Sequence, residues 1–384
     1  MSRNNKWCEI SHPMKSFLSF GGNHVEFRKL FAIVCHFLSL VCLLSFPAGA
    51  NEARKNSDIT ETEFVISYDV ERVRTSFLKS LFGGFSSQKS KKMKLWVNLP
   101  QTLLGKQEVV EISFQPEPSR RFKKNGNDYV EYEFDVPKKA ARFEIRVQAK
   151  IMRSNLATII HSDSTSTGED LNLDSYLIHE RMIEKDHPLI QELAAKISGE
   201  GTLDTIRKIY HFVPTYLSVD LMKIKGVGAA KTAETKKGMC IDYCDLFVAL
   251  CRARGIPARV VAGFKCDFTV SPKHSWIEVY VEPHGWIAFD PTFIPNVPGR
   301  DIERRFYNHQ LHVLKFTSIR NDKVLHYNYF YSYPFWDREL MKVVRVFESI
   351  EFLKPKRPTY SSKQGQKKAR ETQKIVDKYN KKQQ

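Results

Sequence analysis

Three side chains stand along the chain in an order that suits acyl transfer through a thiol: Cys240, His274 and Asp290. Attack on an amide by sulfur needs a nucleophile, a base to manage its proton, and a carboxylate to orient that base. Cys240 lies in Gly238-Met239-Cys240-Ile241-Asp242-Tyr243-Cys244, directly ahead of a helical pattern. Its sulfur is therefore expected at a helix N-terminus, where the dipole and the free N–H groups favour a thiolate. His274 opens the alternating run His274-Ser275-Trp276-Ile277-Glu278-Val279-Tyr280-Val281, and Asp290 closes Trp286-Ile287-Ala288-Phe289-Asp290.

The elements that must position these groups are a helix and a hairpin. The helix is expected from Met239 to Arg254, burying Leu246, Phe247 and Leu250, with Gly255 as a left-handed cap and Pro257 soon after. Ile256 to Phe264 is almost continuously apolar and reads as a central strand. A turn at Pro283, His284 and Gly285 makes neighbours of the strands carrying His274 and Asp290. Pairing Trp276 with Asp290 then sets His274 and Asp290 on one face, roughly 7–8 Å apart along the diagonal. A slip of one residue turns Asp290 away, so an odd-numbered connection or a bulge is required. The backbone N–H of Cys240 is the first candidate donor to an oxyanion, and the Tyr216 hydroxyl is a candidate for the second.

Ordinary readings cover the other cysteines and histidines. Cys8, Cys35 and Cys42 fall in the leader, and Cys244 and Cys251 share the helix of Cys240, where neighbours four apart point outward rather than at one another. With Cys266 they are expected to be free thiols. No pair has C-x-x-C spacing and no H-E-x-x-H occurs, so no metal or cofactor is expected; the remaining metal reading is zinc at Cys240, Cys244 and His274. His179, His187, His211, His284, His309, His312 and His326 read as surface or satisfied core residues.

Residues 51–160 alternate with period two at Phe64–Val70, Met93–Pro100, Val109–Phe114, Tyr129–Val136 and Phe143–Ile151, with turn residues between, which predicts a β-sandwich. His161–Asp170 reads as a linker. Helical spacing follows at Leu189, Leu193, Ala194 and Ile197, and again from Leu203 to Val213 ahead of Pro214; Lys223–Lys237 reads as a loop. The catalytic core is assigned to 171–300 and a β-rich extension to 301–353, with strands at His312–Thr317, Val324–Tyr331 and Val343–Phe352. Its aromatic cluster from Tyr327 to Trp336 reads as wall packing.

Charge and leader bound the setting. The formal charge is +17, but eleven Lys and Arg from Lys354 onward face only Glu371 and Asp377, so the folded body is nearly balanced. The tail, 354–384, reads as solvated and disordered, with anionic envelope surfaces as a partner it would suit. No specific nucleic-acid partner is expected. Arg28-Lys29, the apolar run Leu30–Phe46 and Ala48-Gly49-Ala50 make 1–50 a signal peptide, so the protein is expected to be exported to periplasm or exterior, or anchored there where the leader is retained.

The text around the three residues resembles the transglutaminase-like superfamily. The resemblance runs through Gly238–Tyr243, Ala249-Leu250, Arg252–Gly263, His274–Tyr280, Gly285-Trp286 and Phe289–Thr292, within roughly Leu171 to Thr292. It implies a papain-like fold, with nucleophile, base and orienting acid at Cys240, His274 and Asp290, preceded by the β domain of exported bacterial members. The implied fold class is α+β: a sandwich, then helices packed on an antiparallel sheet. Cys244 departs from the small residue common there, and no D-x-[DN]-x-[DN]-G calcium loop occurs. The resemblance implies a protein or peptide substrate, a thioester intermediate, and a peptidase or amide hydrolase. The alternatives are a protein-glutamine gamma-glutamyltransferase and a non-catalytic envelope-binding protein.

Overall fold

The computed structural model describes residues 59–72, 92–135, 140–152, 155–161, 172–223, 226–266, 272–292, 301–308, 311, 313–317, 331–332, 344–355, 360–361 and four scattered positions beyond 366. The expected leader, most of the 161–170 linker and almost all of the aromatic cluster lie outside these residues.

The first half of the chain forms β1 (Ile59–Arg72), β2 (Lys92–Leu99), β3 (Gln107–Gln115), β4 (Arg120–Lys124), β5 (Asn127–Asp135), β6 (Ala141–Met152) and the short helix α1 (Leu156–Ile160). After a 3-10 turn come α2 (Pro188–Ala195), α3 (Thr202–Tyr216), β7 (Ser218–Val219), α4 (Ala229–Thr235), β8 (Lys237–Gly238), α5 (Cys240–Ala253), β9 (Ala258–Lys265), β10 (Lys273–Val281) and β11 (Gly285–Phe289). The chain then continues through α6 (Ile302–Asn308), β12 (Val313–Thr317), β13 (Tyr331–Ser332), β14 (Val344–Lys354) and β15 (Tyr360–Ser361).

Period-two patterning does what it should in the first half. Phe64, Ile66, Tyr68 and Val70 of β1 are all buried, as are Met93, Leu95 and Val97 of β2 and Ile145, Val147 and Ala149 of β6. The strands order as β15-β14-β1-β6-β3 in one sheet and β13-β2-β5-β4 in another. Their facing side chains share one apolar cluster, as in a sandwich. The strand expected at the C-terminal end, β14, hydrogen-bonds along β1 rather than extending the sheet that carries His274. Tyr360–Ser361, within the stretch expected to be solvated, pairs with β14, whose outer edge offers unpaired backbone groups.

A third sheet, β11-β10-β9-β12, is antiparallel throughout. Helix α5 is buried on all sides, with Tyr243, Cys244, Leu246, Phe247, Val248, Ala249, Leu250 and Cys251 fully enclosed between this sheet and the helices around it. Apart from the buried Asp242, Asp245 and Arg252, that is the expected environment of a helix apolar all round. Gly255 caps it with a φ of 73°. Two local expectations shift. Helix α3 runs through Pro214 to Tyr216. Within the expected loop 223–237, α4 forms because the Glu184 carboxylate accepts from the N–H groups of Ala229 (2.8 Å) and Ala230 (3.2 Å), a cap supplied from far away in sequence.

Candidate active site

The sulfur is delivered by a tightly specified turn. Met239 is extended and caps α5, so Cys240 is the first helical residue. Asp242, fully buried at the third helical position, folds back to accept from Met239 N–H (2.9 Å) and Val227 N–H (2.9 Å), and Lys223 Nζ lies 3.4 Å from it. That is one arm of a capping box, and it draws the preceding loop onto the helix tip. Gly238 makes room for it, because a Cβ there would stand 2.6 Å from Asp242 Cβ. The Tyr243 hydroxyl donates to the Leu217 carbonyl (3.0 Å), and the two-residue pair β7/β8 ties the same segments together.

The base and its partner are set by register. β10 pairs β11 from Ile277↔Phe289 to Val281↔Gly285, joined by the three residues 282–284. The connection is odd, and the same register carried one step further puts Trp276 opposite Asp290, as the sequence requires. His274 Nε2 donates to Asp290 Oδ2 at 2.9 Å. Cys240 also raises the pKa of this ring, by hydrogen bond and by charge, and with Nε2 engaged by Asp290 the edge left to face it is Nδ1. His274 is paired across the sheet with Gly263, where a Cβ would strike the Leu314 carbonyl at 1.9 Å and the Trp276 ring at 2.9 Å. Glycine there lets β12 and the indole close in behind the histidine.

Asp290 is buried and held from several sides. Its Oδ1 accepts from Thr292 N–H (3.0 Å), and its carbonyl accepts from the Tyr210 hydroxyl (3.0 Å). Arg305 Nη2 and Lys265 Nζ approach Oδ2 at 3.6 and 3.9 Å. Burial pushes the carboxyl up, but His274, Arg305 and Lys265 together hold it well below the usual carboxylate range. Burial pushes the His274 imidazole down, yet Asp290, by charge and hydrogen bond, and then Cys240 carry it up to about 9. The ring therefore keeps both protons at neutral pH.

Of the three residues singled out from the sequence, His274 and Asp290 are hydrogen-bonded, and Cys240 acts on the same imidazole. Tyr216 does not join them as a donor, because its hydroxyl proton goes to the Ala233 carbonyl (3.0 Å). Asp242, Tyr210, Thr292, Lys265 and Arg305 support the site without having been singled out. Asp242 and Thr292 left a trace, each two residues beyond a site residue in a motif already noted. Cys240 is partly exposed, while Cys244, Cys251 and Cys266 are buried, and all four are free thiols. Burial pushes the Cys251 thiol up. His187 caps α2, and His179 and His211 pair with Asp186 and Glu303. Among the described residues no group of His, Cys, Asp and Glu is disposed to hold a metal ion.

Residues 191–291, the stretch that holds the whole trio, match the family model of the Transglutaminase-like superfamily. This stretch is a transglutaminase-like domain. The chain is 37% identical over 73 residues to YebA of Bacillus subtilis and 34% identical over 71 residues to the protein-glutamine gamma-glutamyltransferase of Pseudomonas aeruginosa. The aligned stretches take in 15% and 16% of this chain and 10% of each relative, so only about a tenth of those relatives is spanned. Among solved structures, a candidate cysteine protease from Cytophaga hutchinsonii superposes with a TM-score of 0.47 at 16% identity, over 79% of this chain and 93% of that one. The periplasmic domain of TgpA from Pseudomonas aeruginosa gives 0.33 at 14% identity, over 64% and 92%. The architecture of the transglutaminase-like domain itself is α+β, helices on an antiparallel sheet.

Proposed function

We propose that this chain is an exported cysteine enzyme that takes an acyl group from a protein or peptide amide onto Cys240 and passes it to water. The observation that carries this reading is one imidazole bonded through Nε2 to Asp290 while Cys240, first in its helix, acts on the same ring. In the first step the Cys240 sulfur attacks the carbonyl carbon, and the oxygen becomes an oxyanion. The N–H of Cys240, first in its helix, has no acceptor within the helix and is available to that oxygen. Collapse breaks the C–N bond, His274 gives its Nδ1 proton to the departing amine, and a thioester remains. The now neutral ring takes a proton from water as the water oxygen attacks the thioester; the C–S bond breaks and the acid leaves, restoring thiolate and imidazolium.

A second reading is favoured by the Pseudomonas aeruginosa gamma-glutamyltransferase: the thioester goes to an amine instead, giving a cross-link. The trio serves both outcomes equally, since the acceptor is chosen by how well water is excluded and an amine admitted. Residues 28–50 support export, and the basic tail supports retention at an anionic envelope surface. The test offers glutamine-containing peptides and an amine probe to the protein and to Cys240→Ala, scoring ammonia, new amine termini and probe incorporation separately. Hydrolysis predicts ammonia or new termini without probe, all lost in the variant. Activity persisting in Cys240→Ala overturns the mechanism.

A further inference from the structure

Asp290 ends the β10/β11 hairpin, and the turn after it is held by a helix beyond the 191–291 match. Arg305 of α6 donates from Nη1 to the Thr292 carbonyl at 2.8 Å, while Thr292 N–H donates to Asp290 Oδ1 at 3.0 Å. The other guanidinium nitrogen, Nη2, stands 3.6 Å from Asp290 Oδ2, the oxygen that receives His274. One planar fork thus grips both ends of the Asp290-Pro291-Thr292 turn. The fork is itself fixed. Phe306, next to Arg305, is buried and stacks on Phe289 with ring centroids 5.1 Å apart, and it packs on Tyr210 at 5.4 Å. Glu303 ties α6 to α3 through His211 (2.6 Å) and Arg207 (3.3 Å).

We propose that Arg305 is a positioning residue of the cysteine site, aiming Asp290 at His274 through the Thr292 turn and, together with Lys265, offsetting the carboxylate's charge. This rests on the Cys240–His274–Asp290 reading above. Among the described residues, the charged groups that act most on the pair are Asp290 and Cys240 on His274, and His274, Arg305 and Lys265 on Asp290, while buried Asp245 of α5 acts on Cys240. Lys273, beside His274 in sequence, is paired with Glu348 of β14. An imidazole beside a carboxylate alone would hold its proton to very high pH. The two cations limit that, because positive charge near Asp290 disfavours the imidazolium.

The test needs no substrate. Alkylation of Cys240 by iodoacetamide, followed by peptide mass spectrometry from pH 4 to 10, reports loss of the imidazolium proton at its upper inflection. Arg305→Gln should move the upper inflection upward by about one pH unit and slow alkylation at neutral pH by roughly tenfold. Arg305→Lys keeps the charge but not the fork, so it should leave the inflection in place while slowing alkylation several-fold. Lys265→Met should shift the inflection upward with less effect on rate. Profiles of Arg305→Gln and Arg305→Lys that coincide with the parent overturn the inference. Should Arg305→Gln not fold, Arg305→Lys decides by its rate alone. Failure of the parent itself to label Cys240 ahead of Cys251 would overturn the underlying triad reading instead.

Discussion

Asp290 is the most constrained of the three site residues, and its constraints set what the other two can do. With one oxygen on His274 Nε2 and the other on Thr292 N–H, it admits a single ring orientation. Asp290→Asn keeps the shape and removes the charge, so turnover should fall by about 10²- to 10⁴-fold with little change in substrate KM. The same contacts make stability depend on pH. His274 is raised to about 9 in the folded chain from 6.5, so its contribution is complete below about pH 6.5 and is lost as pH rises through about 9. Asp290 is depressed, so its contribution holds above the ordinary aspartate range and disappears as pH falls below it. Melting temperature followed against pH should therefore decline on both flanks, and Asp290→Asn should flatten both. A variant whose profile tracks the parent through pH 9 would contradict the coupling. At this scale the trio was legible because residue order, a helix start and a strand start coincide. Arg305 was not legible, since nothing in Arg304-Arg305-Phe306 distinguishes it from other basic residues until α6 is docked.

Two short elements convert that chemistry into geometry: the tip of α5 and the β10/β11 hairpin. At the tip, Gly238, Met239 and Asp242 act together, because Asp242 reaches Met239 N–H only if position 238 carries no side chain. Gly238→Ala should push Asp242 off both N–H groups it serves. We expect a loss of roughly 1–3 kcal/mol in denaturant unfolding, together with slower alkylation of Cys240. Unchanged stability would mean that the loop yields instead. The parity of the hairpin was legible from counting but its register was not: the turn expected at 283–285 lies at 282–284, with Gly285 in β11, and both are odd connections, which decide the face that Asp290 takes. Elements that depend on distant partners were not. Helix α4 hides in a loop-like sequence because its cap is Glu184, 45 residues upstream of Ala229. Strand β4, Arg120-Arg121-Phe122-Lys123-Lys124, shows no alternation, since its cations pair with acids on the neighbouring strand and turn, such as Glu131, Asp128 and Glu117.

Across the whole described body, the sandwich and the sheet bearing His274 share a core rather than meeting at a polar seam. Phe64 of β1 packs on Phe264 of β9 (5.2 Å between centroids), and Phe264 packs on Phe316 of β12 (4.7 Å), within the same cluster that fills the sandwich. Polar locks lie beside it. The buried Gln107 side chain of β3 imitates a neighbouring strand, donating to the Lys315 carbonyl (2.9 Å) and accepting from Lys315 N–H (2.8 Å). The Lys315 ammonium in turn reaches Glu278 of β10, at 2.7 Å, where Arg259 also binds. Such buried ion sets tie segments together more than they add net stability. Gln107→Ala strands a backbone donor and acceptor in an apolar setting, which should cost about 2–4 kcal/mol although it lies in a half with no candidate chemistry. Calorimetry of the parent should show one cooperative transition covering both halves, and the variant should move it as a unit. A fragment limited to 171–300 lacks β12 and the sandwich strands, so Phe264 would face water and the fragment should be insoluble or loosely folded. Two resolved transitions, or a soluble and alkylation-competent 171–300 fragment, would show instead that the sandwich is a separable attachment rather than half of the support on which His274 stands.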